Sequence, residues 1–308
     1  MLISVIIPCY NEQEAIIESY RRLQSVFIND LPTHCYEFIF INDGSKDRTL
    51  FMLKELTQMD PQVRIINFSR NFGHQSAITA GLIHCKGDAA VIIDADLQDP
   101  PEVIPAMLEL LNEHECSVVY GVRLSRDGES RFKLFTAKVF YRILNKLSDV
   151  KFPTDTGDFR IVDSKVINAF RLFPEKNKYV RGLISWIGYK QVPFFYDRAP
   201  RLAGESKFTF LKMLKFASVA ILYFSTKPLK FAIGIGGVSI FFSMLGVFFI
   251  ILLKVFWSSI VISWWWGVLL ATIFMGGVQL LTIGVVSHYI GKLFDEVKDR
   301  PEYIMDEI

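Results

Sequence analysis

The sequence predicts an α/β fold, a parallel doubly wound sheet, with a membrane-embedded C-terminal part. Three observations carry this expectation. Short apolar, β-branched runs alternate with helical patterns over roughly the first 120 residues, the pattern of a parallel sheet covered on both faces. Acidic residues vanish between Pro228 and Gly291. Between these features, two carboxylates, Asp94 and Asp96, follow the apolar run Ala89-Ala90-Val91-Ile92-Ile93. Open α/β sheets bind their ligands at that end of a strand.

The strand patterns run Ile3 to Pro8, Tyr36 to Asn42, Val63 to Phe68, Ala89 to Asp94 and Ser117 to Gly121. Helical periodicity fills the gaps at Glu12 to Phe27, Asp47 to Gln58 and Gln75 to His84. Asp47 reads as an N-cap. Pro101 opens a further helix, because a missing N–H costs nothing in a first turn. Neither a Gly-x-Gly-x-x-Gly fingerprint nor a P-loop is present. The net charge of +2 gives no reason to expect nucleic acid. Cys9, Cys35, Cys85 and Cys116 form no close pair and read as reduced packing residues. The N-terminus enters a strand pattern at once, without the features of a signal peptide.

Phe231 to Leu253 is an uncharged stretch of roughly 23 residues, enough to cross a hydrocarbon core of about 30 Å. A second runs from about Trp264 to Ile290 and can span with tilt. Trp257, Trp264, Trp265 and Trp266 lie between them, as expected of a turn at the membrane interface. Lys212, Lys215, Lys227 and Lys230 precede the first span, and Lys292, Lys298 and Arg300 follow the second. The loop between contributes only Lys254. The positive-inside rule therefore places both termini in the cytoplasm. Lys207 to Phe224 mixes Phe and Leu with Lys at helical intervals, as a basic interfacial helix does. Gly236, Ser239, Ser243 and Gly246 make a smooth face that favours helix approach and a homo-oligomer. The expected organisation is a cytosolic catalytic domain at 1–206, an amphipathic helix at 207–228, a two-span hairpin at 229–292 and a tail at 293–308.

Polar clusters close each strand. They are Pro8-Cys9-Tyr10-Asn11-Glu12, Asn42-Asp43-Gly44-Ser45-Lys46-Asp47, Ser69-Arg70-Asn71-Phe72-Gly73, the Asp94–Asp96 pair and Arg123. Each alone is ordinary turn chemistry. Together on one edge they suit a nucleotide. Tyr10 can stack on a base, and Glu12 and Asp43 can accept hydrogen bonds from base and ribose. Asp94 and Asp96 can hold a hard divalent cation that also touches a diphosphate.

The chain resembles family 2 glycosyltransferases of GT-A fold, a Rossmann-like nucleotide-sugar-binding domain. Within that family it is similar to the polyprenyl-phosphate type, which includes bactoprenol glucosyltransferases and dolichol-phosphate mannose synthases. The resemblance covers essentially the whole chain. It rests on Val5 to Glu12, Ile41 to Asp47, Arg70 to Gly73, Asp94 to Pro100, Thr156-Gly-Asp-Phe-Arg160 and Arg201-Leu-Ala-Gly-Glu-Ser-Lys-Phe208. It implies that Pro8, Tyr10, Glu12, Ile41 and Asp43 line the nucleoside pocket. Asp94, Ala95, Asp96 and Gln98 would surround the diphosphate, with Asp94, Asp96 and Gln98 around Mg²⁺ or Mn²⁺. Arg123, Arg201 and Lys207 would meet phosphates, and Asp96, Asp158, Arg201 and Lys207 would form the reacting centre.

The implied reaction moves a hexose, foremost glucose from UDP-glucose, to polyprenyl phosphate at the cytoplasmic membrane face. The anomeric carbon inverts, and a flippase then becomes a further expected partner. GDP-mannose or a UDP-amino sugar is the alternative donor. Two other classes compete. A processive polysaccharide synthase would carry a Gln-x-x-Arg-Trp motif and more spans, and neither is found here. A non-catalytic membrane scaffold would have no use for the Asp pair and the basic loop.

Overall fold

The computed structural model describes residues 1–124, 156–176, 178–197, 227–256 and 264–306. They fall into two compact units. The first holds a sheet and its helices and takes in the chain again from Arg300, and the second contains the long C-terminal helices up to Asp299. The strands are β1 (Leu2–Cys9), β2 (Cys35–Asn42), β3 (Val63–Asn67), β4 (Ala89–Ile92), β5 (Val118–Arg123), β6 (Thr156–Asp163) and β7 (Gln191–Tyr196). Their order is β3-β2-β1-β4-β6-β5-β7. The connecting helices are α1 (Ile16–Asn29), α2 (Thr49–Met59), α3 (His74–His84), α4 (Ile104–Glu113), α5 (Ser164–Arg171) and α6 (Val180–Ile187).

The first four strands are parallel, with β1 between β2 and β4. Both faces are fully buried, with Ile3, Val5 and Ile7 alternating with Ser4 and Ile6, and Phe38 and Phe40 with Ile39 and Ile41, which explains why the runs read as continuous rather than alternating. Phe27 of α1 packs on Phe38, and Tyr36 stacks on it with ring centroids 4.6 Å apart. Each such side chain contributes about 1.5–3 kcal/mol of burial. Asp47 anchors the start of α2 one residue before its cap. Its Oδ1 accepts from the Thr49 N–H at 3.0 Å, and Arg48 takes the cap position.

The sheet is mainly parallel, as expected, with one antiparallel strand. β6 runs antiparallel between β4 and β5. Thr156 to Asp163 carries Gly157, Asp158 and Arg160, residues with poor strand propensity, yet Thr156 to Val162 is entirely buried. Burial in the sheet centre overrides local preference. β7 also escaped the sequence pattern, because Pro193 interrupts it. Proline is tolerated there because β7 is an edge strand.

This topology places the site. β1 to β5 end on one edge, and antiparallel β6 begins on it. Cys9, Asn42, Asn67, Ile92, Arg123 and Thr156 therefore share one rim. The strand order turns back between β1 and β4, where open sheets form their ligand crevice.

The second unit contains α7 (Lys227–Phe256) and α8 (Trp264–Val297), which pack on each other. Among the described residues one stretch, Gly267–Val297, is long and apolar enough to cross a membrane. Its 31 residues rise about 46 Å. In α7 the apolar stretch Gly234–Gly246 is shorter. The expected basic helix at Lys207 to Phe224 and the turn residue Trp257 lie outside the described residues.

Candidate active site

Of the residues expected at the site, the rim collects Pro8, Tyr10, Glu12, Ile41, Asp43, Asp94, Ala95, Asp96, Gln98, Arg123 and Asp158. Arg201 and Lys207 lie outside the described residues. Pro8 and Ile41 are register partners of β1 and β2 and are both buried. Beyond them Tyr10 is exposed. Asn11, at φ 54, takes the left-handed turn that Asn tolerates better than most residues. Its Oδ1 accepts from the Lys46 N–H at 2.8 Å, and its own N–H donates to Ser45 Oγ at 3.0 Å. The β1 and β2 loops are thereby tied together. The Glu12 N–H donates to Thr49 Oγ1 at 2.9 Å.

Asp43 is buried, and its carboxylate serves the neighbouring loop. Oδ1 accepts from the Phe72 N–H at 2.6 Å, and Oδ2 accepts from the Gly73 N–H at 3.0 Å. Burial pushes its pKa up, opposed by these two amides. Gly44 beside it has φ +63, and an added Cβ would lie 2.3 Å from the Arg70 carbonyl carbon. The β2 and β3 loops therefore meet at backbone contact, which only glycine permits here.

After β4 the chain makes a tight turn. Ala95 and Leu97 are buried, and Leu97 sits at φ 57, a strained state for a branched side chain. Asp96 Oδ1 accepts from the Gln98 N–H at 3.1 Å. Alternate residues of this turn, Asp94, Asp96 and Gln98, remain partly exposed. Asp99 points the other way and is buried against the Tyr196 hydroxyl. Arg123 Nη2 lies 3.4 Å from Asp99, so the charge expected to meet a phosphate already has a carboxylate partner. The guanidinium crosses Gly157, where an added Cβ would come within 2.6 Å of Nη2.

The densest charge cluster surrounds Asp158 at the start of β6. His74 Nε2 lies 3.0 Å from Asp158 Oδ2, and Arg181 Nε lies 2.8 Å from Oδ1. Arg181 also donates to the Thr156 carbonyl at 2.7 Å. Gln75 spans two helices, donating to Asp158 Oδ2 at 3.4 Å and accepting from the Val180 N–H at 3.0 Å. Buried Arg160 turns back to the carbonyls of Asp158 and Gly157. Burial alone would raise the Asp158 pKa. Arg181, His74 and Arg160 outweigh it and hold the carboxyl far below its ordinary range. Neither His74 nor Arg181 belongs to the residues expected at the site. His74 directly follows the Arg70–Gly73 cluster and opens α3, which was a readable signal. Arg181 carried none.

His74 also faces Asp94, with Nε2 3.6 Å from Oδ1. Burial disfavours its charge, but Asp94 and Asp158 raise its pKa to about 9. Asp94 shifts in the direction opposite to Asp158. Burial, with Asp158, Asp96 and Asp99 adding to it, pushes its pKa up to about 6 against the pull of His74. Its buried Oδ1 has no hydrogen-bond donor among the described residues. A carboxylate oxygen left in that state fits a hard cation. Among the described residues no three His, Cys, Asp or Glu side chains gather closely enough to hold a metal alone.

Residues 4–170 match the family described as Glycosyl transferase family 2. YkcC of Bacillus subtilis (strain 168), an uncharacterized glycosyltransferase, is 47% identical over 304 residues, covering 99% of this chain and 93% of that protein. The SfII prophage-derived bactoprenol glucosyl transferase of Shigella flexneri is 40% identical over 307 residues, covering 99% and 97%. The prophage bactoprenol glucosyl transferase homolog of Escherichia coli (strain K12) is 38% identical over 310 residues, covering 100% and 99%. A family match over more than half of the sequence, with relatives of this identity along both full lengths, agrees with the α/β sheet and its acidic rim: the chain is a member of glycosyl transferase family 2.

Proposed function

We propose that the protein transfers glucose from UDP-glucose to a polyprenyl phosphate such as undecaprenyl phosphate, with inversion at the anomeric carbon. The observation that carries this reading is the end-to-end similarity to bactoprenol glucosyl transferases, over a chain whose sheet rim holds Asp94 and Asp96. The nucleoside would rest on the rim of β1 and β2, against Pro8, Tyr10 and Ile41. Asp43 would act there indirectly, by fixing the Phe72–Gly73 loop.

Asp94 and Asp96, with Gln98 beside them, would hold Mg²⁺ or Mn²⁺. Such an ion supplies Lewis-acid stabilisation of the charge that develops on the departing diphosphate. Arg201 and Lys207 would add positive charge toward the phosphates. A phosphate monoester has its second pKa near 6 and is mostly dianionic at neutral pH, so it can attack without a general base. The depressed pKa of Asp158 agrees with this, since such a carboxylate is a poor proton acceptor. Asp158 is a positioning residue in this scheme. It fixes His74 beside Asp94 and Arg181 beside the β6 start.

The acceptor keeps its headgroup at the bilayer surface, and the chain carries its own anchor. We place two spans, at Phe231 to Leu253 and Trp264 to Ile290, with both termini cytoplasmic. The basic residues flanking those spans support that orientation. Supplying full-length protein with polyprenyl phosphate and UDP-glucose, UDP-N-acetylglucosamine or GDP-mannose in turn tests the donor. Transfer from UDP-glucose is expected to dominate, and a preference for GDP-mannose would refute the sugar assignment.

A further inference from the structure

The last described residues, expected to be a simple tail, are stitched onto the sheet beside the proposed nucleoside pocket. β3 is an edge strand, and unprotected edges are a liability. The tail pairs antiparallel to its continuation at Phe68 and Met305. The Ser69 N–H donates to the Ile304 carbonyl at 3.0 Å, and the Asp306 N–H donates to the Asn67 carbonyl at 2.8 Å. Tyr303 stacks on Phe68, with ring centroids 4.9 Å apart and planes 16° from parallel. Its hydroxyl lies 3.1 Å from His84 Nε2. Glu302 pairs with Lys178 at 3.1 Å, both side chains nearly buried.

Simple edge protection does not account for where these contacts lead. Phe68 meets Phe72 edge-on, and the Phe72 N–H is held by Asp43. Arg70 lies over the Phe72 ring at 4.0 Å. Asn67, held by the tail, accepts from Asn42 Nδ2 at 2.7 Å at the residue before Asp43. On its other side the Glu302–Lys178 pair stands three residues before Arg181, which grips Asp158. One short segment therefore braces the loop held by Asp43 and the approach to the Asp158 cluster.

We propose that Glu302–Asp306 is a positioning clasp for the donor pocket, so that tail docking and nucleotide binding strengthen each other. The proposal rests on the nucleotide-sugar reading above. Tyr303 is the centre of the clasp. Removing its ring loosens Phe68, hence Phe72 and the Asp43 loop, and lowers affinity for the nucleoside part of the donor. The loss expected from one stacked pair is about three- to tenfold. By thermodynamic reciprocity the nucleotide must tighten the tail by the same factor.

The test uses full-length protein in detergent, with UDP and GDP, each with Mn²⁺, as probes. Tyr303→Ala should raise the dissociation constant of the bound nucleotide about three- to tenfold. Tyr303→Phe, which keeps the ring and loses only the hydroxyl, should rescue it. A purely structural role would lower the melting temperature and leave the nucleotide dissociation constant of the folded fraction unchanged. Hydrogen exchange on the wild type needs no substitution, and saturating nucleotide should slow exchange at Ser69 and Asp306. Wild-type nucleotide affinity in folded Tyr303→Ala, or unchanged exchange at those amides, overturns the clasp. A wild type that binds neither nucleotide overturns the functional reading itself.

Discussion

Replacing Asp158 by Asn probes the centre of the charge cluster. Asn keeps the shape but removes the carboxylate that lies 3.0 Å from His74 and 2.8 Å from Arg181. Arg160, buried and bonded to backbone carbonyls, loses the favourable charge of Asp158 as well. Deleting one partner of a buried ion pair costs about 3–5 kcal/mol. Solvent takes up part of that here, because the side chains of His74 and Arg181 are 43% and 20% exposed. A net loss of about 2–3 kcal/mol remains, which lowers the melting temperature by roughly 5–10 °C for a unit of this size. Thermal unfolding followed by near-ultraviolet circular dichroism reads it. The sign with pH is fixed. Asp158 is held below its ordinary value of 3.8, so the wild-type advantage is complete above that pH and shrinks as acid protonates the carboxylate. Adding Arg181→Gln should recover part of the loss, because the two residues are coupled. A melting temperature within about 2 °C of wild type at neutral pH would show that the cluster does not hold β6.

Three further outcomes follow from the rim and the helices. Asp96→Asn should reduce sugar transfer to near background while the circular dichroism spectrum and membrane attachment stay unchanged, since a hard cation loses a charged oxygen. Gly44→Ala should destabilise the protein by roughly 2–5 kcal/mol in denaturant titration, from the left-handed φ and the clash with Arg70 together. In a background without native cysteines, an impermeant thiol reagent added from outside the cell should label Ser258→Cys and spare Ser45→Cys. The reverse pattern would invert the topology.

The sequence carried the β1 to β5 part of the sheet because buried parallel strands advertise themselves as apolar runs. It carried Asp94 and Asp96 because paired carboxylates at a strand end are uncommon turn chemistry. β6 was illegible for the opposite reason. Its Gly157, Asp158 and Arg160 are poor strand formers, and only the surrounding sheet makes a strand of them. The tie between His74 and Asp158 joins residues 84 apart, which no local periodicity reports. Asp43 was expected to bond a ligand, but its oxygens hold the Phe72 and Gly73 amides, a partnership visible only once β2 and β3 lie side by side. The clasp was illegible too, because a polar tail after a long apolar helix looks the same whether free or docked.

The most direct test of the proposed reaction is its stoichiometry. Purified full-length protein, undecaprenyl phosphate, UDP-glucose and Mg²⁺ are incubated, and released UDP is measured against lipid-linked glucose. One β-linked glucose on one lipid phosphate per UDP is the predicted result. UDP release with no glycolipid, or a growing glucan chain on the acceptor, would contradict it.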